Sequence, residues 1–167
     1  MAWFSLVITS DHVYRGERKD KIAPLVERIL EERGHYLAYK TIVPNDPLMI
    51  KQAVLEAVSR ADVVLVTGGT GLSRKDVSVD VLEKIAERRV PGFGELHRAR
   101  SLERVGTKAI LSRASAYAIG GKLVAVSPGS PDAVEIAVEI LADIADHVRD
   151  MAKGKSRWES GNCGGKQ

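Results

Sequence analysis

The chain has 167 residues, of which 44% are hydrophobic, and its formal net charge is +3. This length suits one globular domain that buries about two thirds of the surface of the unfolded chain. The single cysteine, Cys163, excludes an internal disulfide and a metal site built from several thiolates, and no apolar run reaches the ~18 residues of a membrane span.

The positive charge is concentrated at the C-terminal end of the sequence. Residues 153–167 carry four basic side chains and one acidic side chain, so residues 1–152 are formally neutral. No aromatic residues alternate with basic ones before Trp158, so no base-stacking surface is predicted. We predict one domain over residues 1–152, a basic glycine-containing tail over 153–167, and no nucleic-acid or membrane partner. Because the N-terminus lacks the features of a signal peptide, we expect a cytoplasmic protein.

Strand and helix patterns alternate in the first half of the chain. A strand over residues 3–9 leads into a polar loop over 10–19. Asp20 is expected to cap a helix over 21–33, and a second strand follows over 37–43. Asp46 and Pro47 have the sequence of a helix start, which predicts a helix to about residue 59. A third strand over 62–67 then ends in a glycine-rich loop.

The second half of the chain is less regular. Ser78 is expected to cap a helix to about residue 89, and the segment 91–94 is expected to break it. Residues 95–102 have a helical pattern, whereas 110–121 is ambiguous. A strand over 122–127 is followed by Ser130 and Pro131, which predict the start of a long helix to about residue 150.

This alternation predicts an α/β fold with a mostly parallel central sheet and helices on both faces. In such sheets ligands bind beyond the carboxyl ends of the strands. Polar loops follow the predicted strands at four places, and we expect them to share one edge of the sheet. These loops are residues 10–20, 44–46, 68–76 and 128–130.

The glycine-rich loop is the strongest functional signal. It contains Gly68, Gly69 and Gly71, and Asp76 follows closely. Backbone N–H groups of such a loop can bind phosphate, and a nearby carboxylate can hold a metal ion. The loop matches neither the P-loop nor the dinucleotide-binding pattern. A tight turn without ligand is the structural alternative, and Asp20, Asp46 and Asp76 each also suit a helix N-terminus.

Several motifs occur together in a fixed order. They are Ser10-Asp11 with Gly16 and Asp20, Val43-Pro44, Thr67-Gly68-Gly69-Thr70-Gly71 with residues 74–78, Pro91-Gly92-Phe93-Gly94-Glu95, Leu111-Ser112-Arg113 and Pro128-Gly129-Ser130-Pro131. Over about residues 4–148 the chain resembles the MogA/MoaB-type molybdenum cofactor biosynthesis family, the molybdopterin adenylyltransferases. The resemblance implies a three-layer α/β/α sandwich of the molybdopterin-binding-domain type, assembled as a trimer or a dimer of trimers.

The resemblance also implies a reaction in molybdenum or tungsten cofactor biosynthesis. AMP would pass from ATP to the terminal phosphate of molybdopterin, with Mg²⁺ required and pyrophosphate released. Such a transfer depends on positioning and charge neutralisation, which backbone N–H groups and carboxylates supply. The metal-insertion enzyme of the same pathway is a further expected partner.

Site residues follow from the resemblance by position. Asp76 corresponds to the catalytic aspartate of the family, and Asp76 and Asp46 are expected to bind Mg²⁺. The expected phosphate cradle is Gly68, Gly69, Thr70 and Gly71. Ser10, Asp11 and Asp20 match the first family loop, and Ser112, Arg113, Gly129 and Ser130 are expected to complete the pocket. Arg113 is expected to bind a phosphate.

Two departures from the family pattern leave alternatives open. Asn45 stands where the family usually has Asp, which removes a charge from the expected metal site, although Asp46 follows directly. Ser78 replaces the usual Thr. One alternative is therefore a catalytically silent pterin-binding or scaffold relative. Another is a nucleotide pyrophosphatase of the competence-damage type, against which the segment 74–78 argues.

Overall fold

A computed structural model describes residues 1–154 of the chain. The strands are β1 (Trp3–Thr9), β2 (Tyr36–Val43), β3 (Val63–Thr67), β4 (Arg88–Arg89), β5 (Ser115–Ile119) and β6 (Lys122–Ser127). The helices are α1 (Asp11–Tyr14), α2 (Ile22–Glu32), α3 (Pro47–Arg60), α4 (Ser78–Ile85), α5 (Pro91–Val105) and α6 (Pro131–Ala152), and a 3₁₀ turn, Gly106–Leu111, follows α5. Residues 155–167, most of the predicted tail, lie outside the described residues.

The six strands form one mostly parallel sheet. Their order is β2-β1-β3-β6-β5-β4. The first four strands in this order run parallel, β5 pairs antiparallel with β6, and β4 pairs antiparallel with β5. This architecture confirms the predicted fold class and puts the carboxyl ends of β1, β2, β3 and β6 at one edge.

Each face of the sheet buries its own hydrophobic core. Along β1, Leu6 and Ile8 pack into the core that includes residues of α2 and α6, whereas Val7 packs into the core that includes residues of α3 and α4. The central strands are therefore apolar on both sides, which explains why they read as uninterrupted hydrophobic runs in the sequence. No helix within residues 1–154 has the length and apolar content needed to span a membrane.

Three local predictions about helices are wrong. The loop after β1 contains the short helix α1, which Ser10 caps by accepting a hydrogen bond from the Val13 N–H at 3.2 Å. Ser78 does not cap α4, because its hydroxyl lies 3.4 Å from Thr9 Oγ1 instead, and α4 ends at Ile85. The segment 91–94 begins α5 rather than breaking a helix, since the missing N–H of Pro91 is not needed in the first turn.

The ambiguous segment forms a hairpin that continues the sheet. After the 3₁₀ turn, β5 pairs antiparallel with β6, and the two-residue strand β4 pairs with β5. Helix α5 packs closely under this region, because a Cβ on Gly94 would overlap the carbonyl oxygen of Ala114. Glycine is therefore required inside α5 by a contact 20 positions along the chain, which no local pattern reveals.

Candidate functional site

Hydrogen bonds join the loops at the carboxyl edge of the sheet. The Ser10 N–H donates to the Val43 oxygen at 3.0 Å, and Thr9 Oγ1 donates to the Thr67 oxygen at 2.8 Å. The Gly68 N–H donates to the Ser127 oxygen at 2.9 Å. The structure therefore brings together the segments after β1, β2, β3 and β6, where most of the predicted site residues lie.

The glycines after β3 are required by close contacts with neighbouring backbone and side chains. Gly68 has a φ of +90°, and a Cβ there would lie 2.5 Å from the Thr9 carbonyl oxygen. Gly69 has a φ of +70°, and a Cβ there would overlap the Ser78 hydroxyl. Both positions combine a left-handed backbone with a lack of space, so only glycine fits without rearrangement.

The carbonyl groups of residues 69–71 are paired with the protein, whereas the N–H groups of residues 69–72 have no partner in the described part of the chain. The Gly69 oxygen accepts from the Ser78 N–H at 3.2 Å, and the Thr70 oxygen accepts from the Arg113 N–H at 3.2 Å. Within residues 1–154, the N–H groups of residues 69–72 have no hydrogen-bond acceptor. Successive unpaired backbone donors favour an anionic ligand such as phosphate.

Arg113 connects this loop to α4. Its Nε–H donates to the Gly71 oxygen at 3.1 Å and its Nη2 donates to the Asp76 oxygen at 2.8 Å. Its Nη1 lies 3.2 Å from both carboxylate oxygens of Asp80. The predicted contact between Arg113 and a phosphate stays a prediction, and its observed partners all belong to the loop and to α4.

Asp76 lies at the end of the loop with part of its carboxylate free. Its Oδ2 accepts from the Ser73 N–H at 3.0 Å, and its own N–H donates to the Ser73 oxygen at 2.9 Å. Among the described residues, no group of three or more His, Cys, Asp or Glu side chains could hold a metal ion.

Asp11 contacts Asn45, at the position where the sequence resemblance implies an Asp. Asp11 Oδ1 accepts from the Asn45 N–H at 2.8 Å. This backbone hydrogen bond is the main reason that the pKa of Asp11 is lowered, and a hydrogen bond from the Asn45 side chain and the charge of Lys75 act in the same direction. Asp46 beside it is exposed, and its Oδ1 accepts from the Met49 N–H at 2.9 Å as the predicted cap of α3.

Several predicted site residues also hold the local fold. Asp20 Oδ1 accepts from the Ile22 and Ala23 N–H groups at 2.8 and 3.1 Å, which caps α2 as predicted. Ser130 Oγ accepts from the Ala133 N–H at 3.4 Å at the start of α6. Ser112 Oγ accepts from the Ala114 N–H at 3.2 Å. The backbone of Gly129 approaches that of Gly68, since a Cβ on Gly129 would lie 3.5 Å from the Gly68 Cα.

A cavity of about 600 Å³ adjoins these loops. Its lining residues are Ile8, Thr9, Ser10, Val13, Arg18, Lys19, Asp20, Lys21, Ile22, Thr67, Gly129 and Pro131. Thr67 Oγ1 is the one buried side-chain polar atom within the described part of the chain that has no hydrogen-bond partner. A buried hydroxyl without a partner in the wall of a cavity suggests that a ligand supplies one.

Sequence reasoning missed Thr67 and the basic side chains of this cavity. Arg18, Lys19 and Lys21 line it, and none of them forms an ion pair with another described residue. The sequence signal for this part of the cavity was a group of three basic residues within four positions of a polar loop. Their charges favour an anionic ligand, and the lining combines apolar and polar side chains as ligand pockets commonly do.

Comparison with known proteins gives a consistent result. A family model for a probable molybdopterin binding domain matches residues 5–147. The chain is 37% identical over 155 residues to the molybdopterin adenylyltransferase of Pyrococcus furiosus, and the match covers 90% of both chains. It is 42% identical over 130 residues to the molybdenum cofactor biosynthesis protein B of Bacillus anthracis, covering 76% of this chain and 77% of that protein.

A solved structure shows the same architecture. The tungsten cofactor synthesizing protein MoaB from Pyrococcus furiosus superposes with a TM-score of 0.81 at 36% sequence identity, covering 91% of this chain and 97% of that chain. Most of the motifs that carry the resemblance lie in the segments that the fold gathers at the carboxyl edge of the sheet, whereas Pro91-Gly92-Phe93-Gly94-Glu95 begins α5. The chain therefore belongs to the family of the probable molybdopterin binding domain.

Proposed function

We propose that this chain is a molybdopterin adenylyltransferase of molybdenum or tungsten cofactor biosynthesis. The observation that carries the proposal is the row of unpaired N–H groups at residues 69–72, which begins two residues after Thr67 in the wall of a cavity large enough for a heterocycle. The name of the Pyrococcus furiosus relative, which matches 90% of this chain, supports the same activity.

The reaction joins two phosphate groups. An oxygen of the terminal phosphate of molybdopterin forms a bond to the α-phosphorus of ATP, and the bond from that phosphorus to the bridging oxygen breaks as pyrophosphate leaves. No nucleophilic side chain is needed, because positioning and charge neutralisation lower the barrier. The loop N–H groups would donate to phosphate oxygens as negative charge develops there.

Mg²⁺ would neutralise phosphate charge when bound. Asp76 has free carboxylate capacity at the end of the loop. Asp46, as predicted, is the second carboxylate proposed for the metal, through the oxygen that does not cap α3. The rest of the proposed binding surface comprises Ser10, Asp11, Asp20, Gly68, Gly69, Thr70, Gly71, Ser112, Gly129 and Ser130, and Arg113 contacts its glycine loop.

We also propose that the chain assembles as a trimer or a dimer of trimers and passes its product to the metal-insertion enzyme. Apolar side chains remain exposed around the end of α5 and the following turn, which suits an interface. They are Leu102, Val105, Ile110 and Leu111. Light scattering of the purified protein tests the assembly, and the mass of a single chain would contradict it.

The activity is tested with molybdopterin, ATP and Mg²⁺ by measuring pyrophosphate and adenylylated pterin. We expect turnover that requires the pterin and stops when EDTA removes the metal. Asp76→Asn should lower kcat/KM about 100-fold, the order of magnitude expected when one charge-stabilising group is lost. Asp143→Asn, on the surface of α6, serves as the control and should retain activity.

Other outcomes distinguish the alternatives. Tight binding of molybdopterin without product would identify a catalytically silent pterin-binding relative, and Asn45→Asp would then be the reversion to test. Hydrolysis of the nucleotide in the absence of pterin would instead support a pyrophosphatase of the competence-damage type.

A further inference from the structure

We propose that Arg113 is a positioning residue, which fixes the glycine loop so that its N–H groups face the ligand, and that its guanidinium does not itself bind the phosphate. The inference rests on the proposed function and deepens it, because it assigns how the phosphate cradle is held open.

Arg113 is the one described side chain that donates hydrogen bonds to the carbonyl groups of residues 69–76. Its Nε–H reaches the Gly71 oxygen at 3.1 Å and its Nη2 reaches the Asp76 oxygen at 2.8 Å. Its main-chain N–H also reaches the Thr70 oxygen at 3.2 Å. One residue thus holds three carbonyl groups spread over seven positions of the loop.

Because the peptide bond is planar, these contacts also determine the direction in which the neighbouring N–H groups point. In a trans peptide the C=O of one residue and the N–H of the next point in opposite directions, and no peptide bond in the described chain is cis. Holding the Thr70 and Gly71 oxygens on the Arg113 side therefore turns the N–H groups of Gly71 and Leu72 to the other side. The guanidinium and the proposed phosphate site lie on opposite sides of the loop.

Because the loop is rich in glycine, it needs hydrogen bonds from a residue outside the loop to fix its conformation. Gly69 and Gly71 have no side chains that restrict their peptide planes, and glycine adopts both signs of φ readily. A rotated peptide would present a carbonyl oxygen to a phosphate and would repel it. The bonds from Arg113 favour the orientation that presents donors, so the loop is organised before the ligand arrives.

Asp80 completes the arrangement and allows a decisive test. Its carboxylate accepts from Arg113 Nη1 and neutralises the guanidinium. If Arg113 holds the loop, removing Asp80 leaves the guanidinium less fixed, weakens its hydrogen bonds to the loop and so weakens binding of ATP. If Arg113 binds phosphate directly, removing Asp80 frees its charge and strengthens binding of ATP. The two roles therefore predict opposite changes in KM.

The kinetic test compares Asp80→Ala, Arg113→Lys and the double variant. We expect Arg113→Lys to raise the KM for ATP about tenfold, since a lost hydrogen bond to a charged group has an effect of this size. Asp80→Ala should raise it about twofold to fivefold, because the Asp80 carboxylate is exposed. The double variant should be no worse than Arg113→Lys, because both changes break the same connection. A mere loss of folded protein would lower kcat and leave KM unchanged. A lower KM in Asp80→Ala would overturn the inference.

A second measurement does not depend on the reaction. Arg74 and Lys75 are exposed in the loop, so trypsin cleavage after them reports how tightly the loop is held. We expect the fragments that end at these residues to form about tenfold faster in Arg113→Lys, as for the loss of one charged hydrogen bond. Arg33→Lys, which alters the surface pair with Asp143, is the control and should cleave like the parent.

Failures of the two proposals are distinguishable. If the parent protein transfers no adenylyl group, the proposed function fails, whereas the cleavage rates still decide whether Arg113 holds the loop. Equal cleavage in the parent and in Arg113→Lys would overturn the inference, even if the protein is an active transferase.

Discussion

At the scale of single residues, Asn45 places a neutral amide next to the carboxylate of Asp11, where an Asp would place a second negative charge. Asp11 accepts a hydrogen bond from the Asn45 N–H at 2.8 Å, and the lowered pKa of Asp11 shows that its neighbours favour the charged form. In Asn45→Asp, two carboxylates would repel each other unless a cation lies between them. We expect Tm without Mg²⁺ to fall by about 2–4 °C, the shift for about 1 kcal/mol in a chain of this size.

The measurement is a pair of thermal unfolding curves for each protein, with and without Mg²⁺. In Asn45→Asp, added Mg²⁺ should restore most of the lost Tm, because the metal binds the folded state in preference to the unfolded chain. The parent should respond less. An equal response of the two proteins would contradict the idea that residue 45 controls the local charge.

Residue contacts divide into those that the sequence predicts and those that only the fold creates. Capping by Asp20 and Asp46 was predictable, because a capping carboxylate and the N–H group that donates to it lie two or three positions apart. The pairs Asp11–Asn45 and Arg113–Asp80 join residues 34 and 33 positions apart. Their partners depend on which strands lie side by side, so the sequence alone did not identify Asp80 as a partner of Arg113.

At the scale of elements, the turn from β3 to α4 is the least tolerant connection of the site. Gly69→Ala would add a Cβ at a φ of +70° and also overlap the Ser78 hydroxyl. We expect the free energy of unfolding to fall by about 2–4 kcal/mol, from backbone strain and steric overlap together. Urea unfolding measures this loss.

Gly34→Ala is the matched control for this turn. Gly34 follows α2 with a φ of +74°, and a Cβ there would meet no atom within 4 Å. It should lose only the strain part, about 1–2 kcal/mol. If the two variants lose the same stability, close contact with Ser78 contributes nothing to the requirement for glycine at position 69.

The contact between α5 and α6 contains a buried histidine. His97 is fully buried, its Nε2 lies 2.9 Å from the Ala133 oxygen in the first turn of α6, and burial is the main reason that its pKa is lowered. The unfolded chain therefore binds a proton more readily than the folded chain. Stability from this group is complete above the unfolded pKa of about 6.5 and decreases as the pH falls below it.

This linkage is tested by Tm between pH 8 and pH 5. His97→Gln keeps a donor for the Ala133 oxygen but does not titrate, so its Tm should fall less toward pH 5 than that of the parent. His147→Gln, at an exposed position of α6, should follow the parent. A parallel decline in all three proteins would show that other groups cause the acid sensitivity.

Element boundaries were predictable where the pattern is local. The bounds of β1 and β6 match the predicted strands, because both are apolar runs between polar segments. The antiparallel strands β4 and β5 were not identified, and β4 has only two residues, both exposed arginines. Their strand conformation comes from pairing with Tyr117 and Ala118, which are about 30 positions away.

At the scale of the whole molecule, the fold brings basic side chains without ion-pair partners in the described residues to the loops of the candidate site. Residues 1–152 are formally neutral, yet five basic side chains lie on the loops after β1 and β3 without an ion-pair partner in the described part of the chain. They are Arg18, Lys19, Lys21, Arg74 and Lys75. Such a cluster raises the local concentration of an anionic substrate and makes binding depend on salt.

We therefore expect the KM for ATP to rise several-fold as NaCl increases from about 0.1 M to about 1 M, where the Debye length falls from about 10 Å to about 3 Å. The value of kcat should change little, because contacts within the bound complex are less screened.

The double variant Arg18→Gln/Lys19→Gln should have a higher KM at low salt and a smaller salt dependence. Arg28→Gln/Lys40→Gln removes the same charge from the α2 and β2 surface, where both residues pair with glutamates, and should behave like the parent. Equal salt dependence in all three proteins would assign the effect to the net charge of the molecule rather than to its arrangement at the carboxyl edge of the sheet.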